Sequence, residues 1–125
     1  MRLAWLVLVV IALAGCSSQA GPTLAHGKPI EHWVAALRDP DVKVRKRAAD
    51  VMGNVGAADP AVVPALAGAI KDRDRSVREA VVLALLKIGP AARDATAALE
   101  GATRDSDPKV RSYASRALEK LRDAQ

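Results

Sequence analysis

The residues best equipped for chemistry recur as a short stretch. It reads Asp39-Pro40-Asp41-Val42-Lys43-Val44-Arg45, then Asp72-Arg73-Asp74-Arg75-Ser76-Val77-Arg78, then Asp105-Ser106-Asp107-Pro108-Lys109-Val110-Arg111. Paired carboxylates on a tight turn could ligate a hard cation such as calcium. These loops nevertheless lack the third acidic position, the glycine and the closing glutamate of a calcium loop, and each has an arginine close by. The other nucleophiles and ligands are sparse: Cys16, His26 and His32, with Ser76, Ser112 and Ser115 on helical patterns that place no general base beside them. No metal-ligand spacing, phosphate-cradling glycine loop or nucleophile elbow is present. The sequence therefore predicts no catalytic set, no metal and no cofactor.

What the three stretches share is spacing. The first Asp, second Asp, Val and Arg each return after 33 residues, which is the mark of stacked supersecondary units that cannot bury an apolar face alone. The elements around them follow the helical period. Ile30, Trp33, Val34 and Leu37 share one helix face, with Pro29 at its first turn, and Asp39-Pro40 ends that helix. Asp41 then caps a second helix whose face is Val44, Ala48, Val51, Met52 and Val55, closed by Gly56. One period later come Val63, Leu66 and Ile70, followed by Val77, Val81, Ala84, Leu85 and Ile88, closed by Gly89-Pro90. The third copy has Leu99 and Ala102, then Val110, Ala114, Ala117, Leu118 and Leu121. Its second helix carries Ser112, Ser115, Glu119, Lys120 and Arg122 on a polar outer face, as a terminal cap should.

Composition agrees with thin, closely stacked helices. Half of the 125 residues are hydrophobic, Phe is absent, and the only aromatics are Trp5, Trp33 and Tyr113, so Ala, Val, Leu and Ile must form the core. The expected fold is all-α: a short right-handed α-solenoid of three helix-turn-helix repeats, at about 29–56, 60–89 and 92–122. Loop Asp followed six residues later by the Arg of a Val-Arg pair, three times in register, resembles HEAT repeats of the short bacterial kind. Ankyrin repeats share the period, but their Thr-Pro-Leu-His opening is missing. The HEAT resemblance implies a stacking ladder made by Asp39, Arg45, Asp72, Arg78, Asp105 and Arg111. It also implies that the second helices line the concave side, where Lys43, Lys46, Arg47, Arg75, Glu79, Lys109, Arg116 and Lys120 form either a mildly basic groove or ordinary solvated helix faces. Trp33 faces the core by periodicity, with a partner contact as the alternative.

The N-terminus has its own grammar. Met1-Arg2 precedes an apolar run from Leu3 to Leu13, too short to span a bilayer, and residues 1–15 read as a secretory signal. Leu13-Ala14-Gly15-Cys16 resembles the lipobox of bacterial lipoproteins, which implies cleavage before Cys16 and acylation of its thiol. Residues 16–28 read as the lipidated cysteine and a flexible tether, rich in Ser, Gly and Pro, ahead of a repeat domain over 29–122. Ser17 after the cysteine favours the outer membrane of a Gram-negative envelope.

Net charge is +5, or +4 without the Arg2 of residues 1–15, and it is mixed closely with Asp, so no nucleic-acid partner is expected. A single cysteine rules out an internal disulfide. The leading expectation is a membrane-anchored adaptor or scaffold that docks an envelope protein. The alternatives are an accessory protein of the tetrapyrrole-lyase type, since related short repeats occur in phycobilin lyases, and, last, a nucleic-acid-binding helical repeat.

Overall fold

The second helix of each repeat starts on the same side chain. Asp41, Asp74 and Asp107 all have extended backbone and accept hydrogen bonds from amides of the following turn: Lys43 for the first, Ser76 and Val77 for the second, Val110 for the third. Each cap satisfies an amide that has no partner inside its helix. The computed structural model describes residues 21–125. Within them α1 (Ile30–Ala36) pairs with α2 (Val42–Val55), α3 (Val62–Ala69) with α4 (Arg75–Ile88), and α5 (Thr96–Ala102) with α6 (Pro108–Asp123). Helices α1, α3 and α5 make one layer and α2, α4 and α6 the other, so α4 is packed on both sides by its neighbours. The architecture is an all-α solenoid of three helix pairs.

The anticipated apolar faces form the core. Ile30, Met52, Leu66, Val77, Val81, Leu85, Leu99 and Val110 are fully buried. Gly56 and Gly89 close α2 and α4 with φ near +63° and +70°, a backbone that favours glycine. Beyond them the chain runs through two 3₁₀ segments, Gly56–Ala58 and Gly89–Ala95, so α5 starts only at Thr96. Gly53, inside α2, sets the distance to α4: a Cβ there would stand 2.8 Å from Ala84 Cβ and 3.0 Å from Ala84 Cα. No side chain larger than hydrogen fits without moving a helix.

The N-terminal boundary differs from the sequence reading. Residues up to Lys28 were expected to be tether, but Leu24–Ala25 and Lys28–Pro29 form a small antiparallel hairpin, with Leu24 opposite Pro29 and Ala25 opposite Lys28. Its two-residue turn, His26-Gly27, has positive φ at both positions (51° and 72°), which matches the twist of paired strands. The hairpin is held by the Trp33 indole, whose Nε1 donates to Ala25 O at 2.9 Å, and by the Ile30 amide, which donates to Thr23 O at 3.1 Å. Ala25 is buried beneath it. Cys16, the proposed signal segment 1–15 and the start of the tether lie outside the described residues.

The opposite end is finished chemically. The side chains through which a repeat receives its successor can be followed in 33-residue steps. Ile30 and Val63 become Thr96, Val34 and Ala67 become Glu100, and Leu37 and Ile70 become Thr103. On the second helices, Ala49 and Val82 become Ser115, Gly53 and Leu86 become Glu119, and Gly56 and Gly89 become Arg122. Met52 and Leu85 keep an apolar counterpart in the half-buried Leu118, and Val55 and Ile88 keep one in Leu121. The groove these residues line on α5 and α6, about 470 Å³, is mixed, with Thr96, Glu100, Ser115, Glu119 and Arg122 around Leu118 and Leu121. Burying Glu119 and Arg122 under another apolar repeat would cost far more than leaving them in water.

Candidate functional site: the aspartate–arginine ladder and the second-helix face

The ladder residues meet across repeats, and the chain folds so that each arginine reaches forward. Arg45 lies one turn inside α2, and its Nη1 donates to the carbonyls of its own loop, Asp39 O at 2.8 Å and Pro40 O at 3.1 Å. That leaves the other edge of the guanidinium for the next repeat: Nε to Asp72 Oδ2 at 2.9 Å and Nη2 to Asp72 Oδ1 at 3.3 Å. Arg78 does the same one period later, with Nη1 on Asp72 O at 2.9 Å, Nε on Asp105 Oδ2 at 3.0 Å and Nη2 on Asp105 Oδ1 at 3.3 Å. Such two-point pairing is the strong form of the arginine–carboxylate contact.

Each acceptor is itself fixed. Asp72 Oδ1 also accepts from the Asp74 amide at 2.9 Å, and Asp105 Oδ1 from the Asp107 amide at 2.8 Å. The thrice-written stretch therefore divides its labour: the first Asp closes a turn and receives the preceding arginine, the second caps the helix, and the Arg ties its own loop to the next. Asp39 begins the series, its Oδ1 accepting from the Asp41 amide, and Arg111 ends it, its Nη1 on Asp105 O and Ser106 O. The Arg45–Asp72 rung is the more deeply enclosed, with side-chain exposures of 3% and 10%, against 16% and 13% for Arg78–Asp105.

Asp74 has a further partner. The Ser76 hydroxyl donates to it, and this bond does most to hold its carboxyl below the ordinary aspartate range. Partial burial opposes the shift, while the amides of Val77 and Ser76 and the charge of Arg45 add to it. Ser76 thus serves the cap. Among the described residues no group of three or more His, Cys, Asp or Glu side chains is placed to hold a metal ion.

Trp33 is not a surface contact. It is 5% exposed, with the Ala25 carbonyl on its indole nitrogen, the His32 ring edge-on at 5.0 Å, the His26 ring at 6.3 Å and the Arg47 guanidinium 5.8 Å above its face. The hairpin that the sequence reading took for tether is what covers it, so its candidate role in binding a partner is replaced by one in holding the N-terminal cap. The remaining candidates, Lys43, Lys46, Arg47, Arg75, Lys109, Arg116 and Lys120, are all exposed along α2, α4 and α6. They do not form an unbroken basic strip. Arg75 lies 3.7 Å from Glu79 and 4.0 Å from Asp107, and a shallow hollow of about 150 Å³ at the middle of the face carries Asp50 and Glu79 beside Lys46, with Ser76, Leu83 and Tyr113. The face is charged with both signs. Among the described residues no helix is long and apolar enough to cross a membrane.

Comparison with known proteins agrees with this geometry. The HEAT repeats family matches residues 30–119. The chain is similar to a solved structure entitled the complex of CpcE and CpcF of phycocyanin lyase from Nostoc sp. PCC7120, at 29% identity and a TM-score of 0.67, over 83% of this chain and 40% of that one. It is also similar to an engineered protein, at 25% identity and a TM-score of 0.64, over 75% of this chain and 45% of that one. The chain thus spans less than half the length of these relatives. Among curated proteins none matches.

Proposed function

The chain belongs to the HEAT-repeat family, and from that premise we propose that it is a non-enzymatic interaction module, lipid-anchored in the bacterial cell envelope, where it acts as an adaptor or scaffold for another envelope protein. The observation that carries the reading is the second-helix face. Three parallel helices clamped by two guanidinium rungs carry Lys43, Lys46, Glu79, Tyr113, Arg116 and Lys120 on a backbone that needs little ordering when a partner docks. The similar Nostoc protein was itself solved as a complex of two chains.

Anchoring rests on the sequence of the first 16 residues, Leu3 to Leu13 followed by Leu13-Ala14-Gly15-Cys16. With the hairpin starting at Leu24, only Ser17 to Thr23 separate Cys16 from the folded part, a reach of at most about 25 Å. A diacylated cysteine would therefore hold the repeats close to the bilayer. Two measurements test the proposal. The mass of the mature N-terminal peptide should show acyl chains on Cys16, and a pull-down from crosslinked envelopes should recover a protein that a control carrying only residues 1–22 does not. An unmodified Cys16 would end the anchoring part, and recovery no greater than the control would end the adaptor part.

The likeness to a phycocyanin lyase complex favours a second reading, an accessory protein of the lyase type that holds a tetrapyrrole against α2, α4 and α6. A bilin added to the full chain would then show a shifted and strengthened absorbance band. An unchanged spectrum would dismiss it.

A further inference from the structure

Each guanidinium of the ladder is gripped on one edge before it meets its partner. Arg45 and Arg78 put Nη1 on carbonyls of their own loops and turn the Nε–Nη2 edge toward an aspartate of the next repeat. Arg111 has the same grip, with Nη1 donating to Asp105 O at 2.8 Å and to Ser106 O at 3.0 Å. Its side chain is exposed, and among the described residues no carboxylate lies within 4.0 Å of it. Two occupied copies in the same molecule show what that edge accepts.

We propose that Arg111 is a preformed receptor for an aspartate carried by another polypeptide on the first position of an Asp-x-Asp turn. The inference deepens the interaction-module reading, on which it rests, by naming a point of contact. An exposed arginine ordinarily loses much side-chain freedom on binding, and the two carbonyl anchors have already removed most of it. The planar edge left over matches a carboxylate in two bonds, as at Asp72 and Asp105. In both occupied rungs the accepting carboxylate is also tied to the amide two residues on, so the edge is matched to a turn aspartate whose oxygens are already oriented. Below Arg111 on the same side of α6 lie Ser115, Glu119 and Arg122, all exposed, so the partner meets further polar side chains beside this edge.

The test uses the full chain in neutral detergent with ¹⁵N-labelled arginine side chains. It is titrated with the end-blocked peptide Asp-Ser-Asp-Pro, which copies residues 105–108, and with a control peptide bearing Asn first. The Arg111 Nε–H resonance should shift and saturate at about a tenfold lower peptide concentration than that of Arg116, which has no such anchors. Arg111→Lys deletes this resonance and so assigns it, while the Arg45 and Arg78 resonances should stay in place. Equal responses at Arg111 and Arg116, or equal responses to the two peptides, would overturn the proposal. Partner capture from crosslinked envelopes that is undiminished by Arg111→Lys would also overturn it and leave the interaction-module reading intact. A normal titration with no capture would count against that reading alone. If sedimentation shows self-association that Asp39→Asn abolishes, the aspartate is supplied by a second copy, which supports the proposal and identifies the source.

Discussion

Arg45 and Asp72 are 27 residues apart in the chain and meet in two bonds, Nε to Oδ2 at 2.9 Å and Nη2 to Oδ1 at 3.3 Å, with the arginine almost wholly enclosed. Asp72→Asn keeps the turn-closing oxygen but leaves a buried guanidinium without a counter-charge, at a cost of about 3 kcal/mol. Asp39→Asn, at the equivalent position with no arginine upon it, should cost under about 1 kcal/mol. Urea unfolding of the two variants checks this, and equal losses would remove the ladder from the account of stability.

The second rung gives a comparison within one residue type. Arg78→Ala removes both the Asp105 contact and the bond to Asp72 O, and should destabilise by about 2–3 kcal/mol. Arg93 is exposed on the groove of α5 and α6, and Arg93→Ala should stay within about 0.5 kcal/mol of the parent. Thermal unfolding of the pair reads the difference.

Gly53→Ala places a methyl against Ala84 and should cost about 1–3 kcal/mol through the separation of α2 from α4. Gly68→Ala in α3 meets nothing within 4 Å and should be neutral or stabilising by up to about 1 kcal/mol, since alanine is the better helix former. Opposite signs in denaturant midpoints are the expected result.

Trp33→Phe retains most of the buried ring and deletes the donor to Ala25 O. The loss should be about 1 kcal/mol and should be felt locally. Amide exchange at Ile30, whose N–H is bonded to Thr23 O, should quicken about tenfold while Val81 and Leu85 at the centre of the solenoid change little.

The cap at Asp74 ties stability to acid. Its carboxyl titrates below the ordinary range in the folded chain, so its contribution is complete above the unfolded aspartate pKa, about 3.9, and is lost as pH falls through the lower folded value. Ser76→Ala removes the largest cause of that shift. The variant should be less stable than the parent near pH 7, and the gap should narrow once the pH drops below the folded pKa of Asp74. A gap independent of pH would show that the hydroxyl does not act through the carboxylate.

The repeat was legible because its caps are local. An Asp directly before a Val-rich helical pattern, three times at one spacing, can be read without knowing what packs on what, and so can the polar substitutions at Ser115, Glu119 and Arg122. The direction of the rungs was not legible in the same way. Asp39 and Arg45 stand in one stretch and look like partners, yet the arginine spends Nη1 on the carbonyls of that loop and gives its other edge to Asp72, a choice set by how repeats stack. Trp33 had the right period for the core, but what covers it is a hairpin whose only marks are a His-Gly pair and two short flanks. That pair, with positive φ at both residues, was the available clue. Gly53 offered another, since a lone glycine inside a helical pattern often marks a close approach of backbones. Spacing sets Glu79 among the basic residues on the α2, α4 and α6 side but does not show that Asp50 shares the central hollow with it.

The central claim is that the rigid second-helix face of an anchored HEAT solenoid holds an envelope protein. The most direct measurement places a photo-crosslinking residue at Lys46 or Arg116 on that face, and at Ala61 beside α3, in the full chain in whole envelopes, followed by mass spectrometry of the adducts. The account predicts one and the same partner protein crosslinked from Lys46 and Arg116, and none from Ala61. Adducts that are absent from Lys46 and Arg116, or no more frequent there than at Ala61, would contradict it.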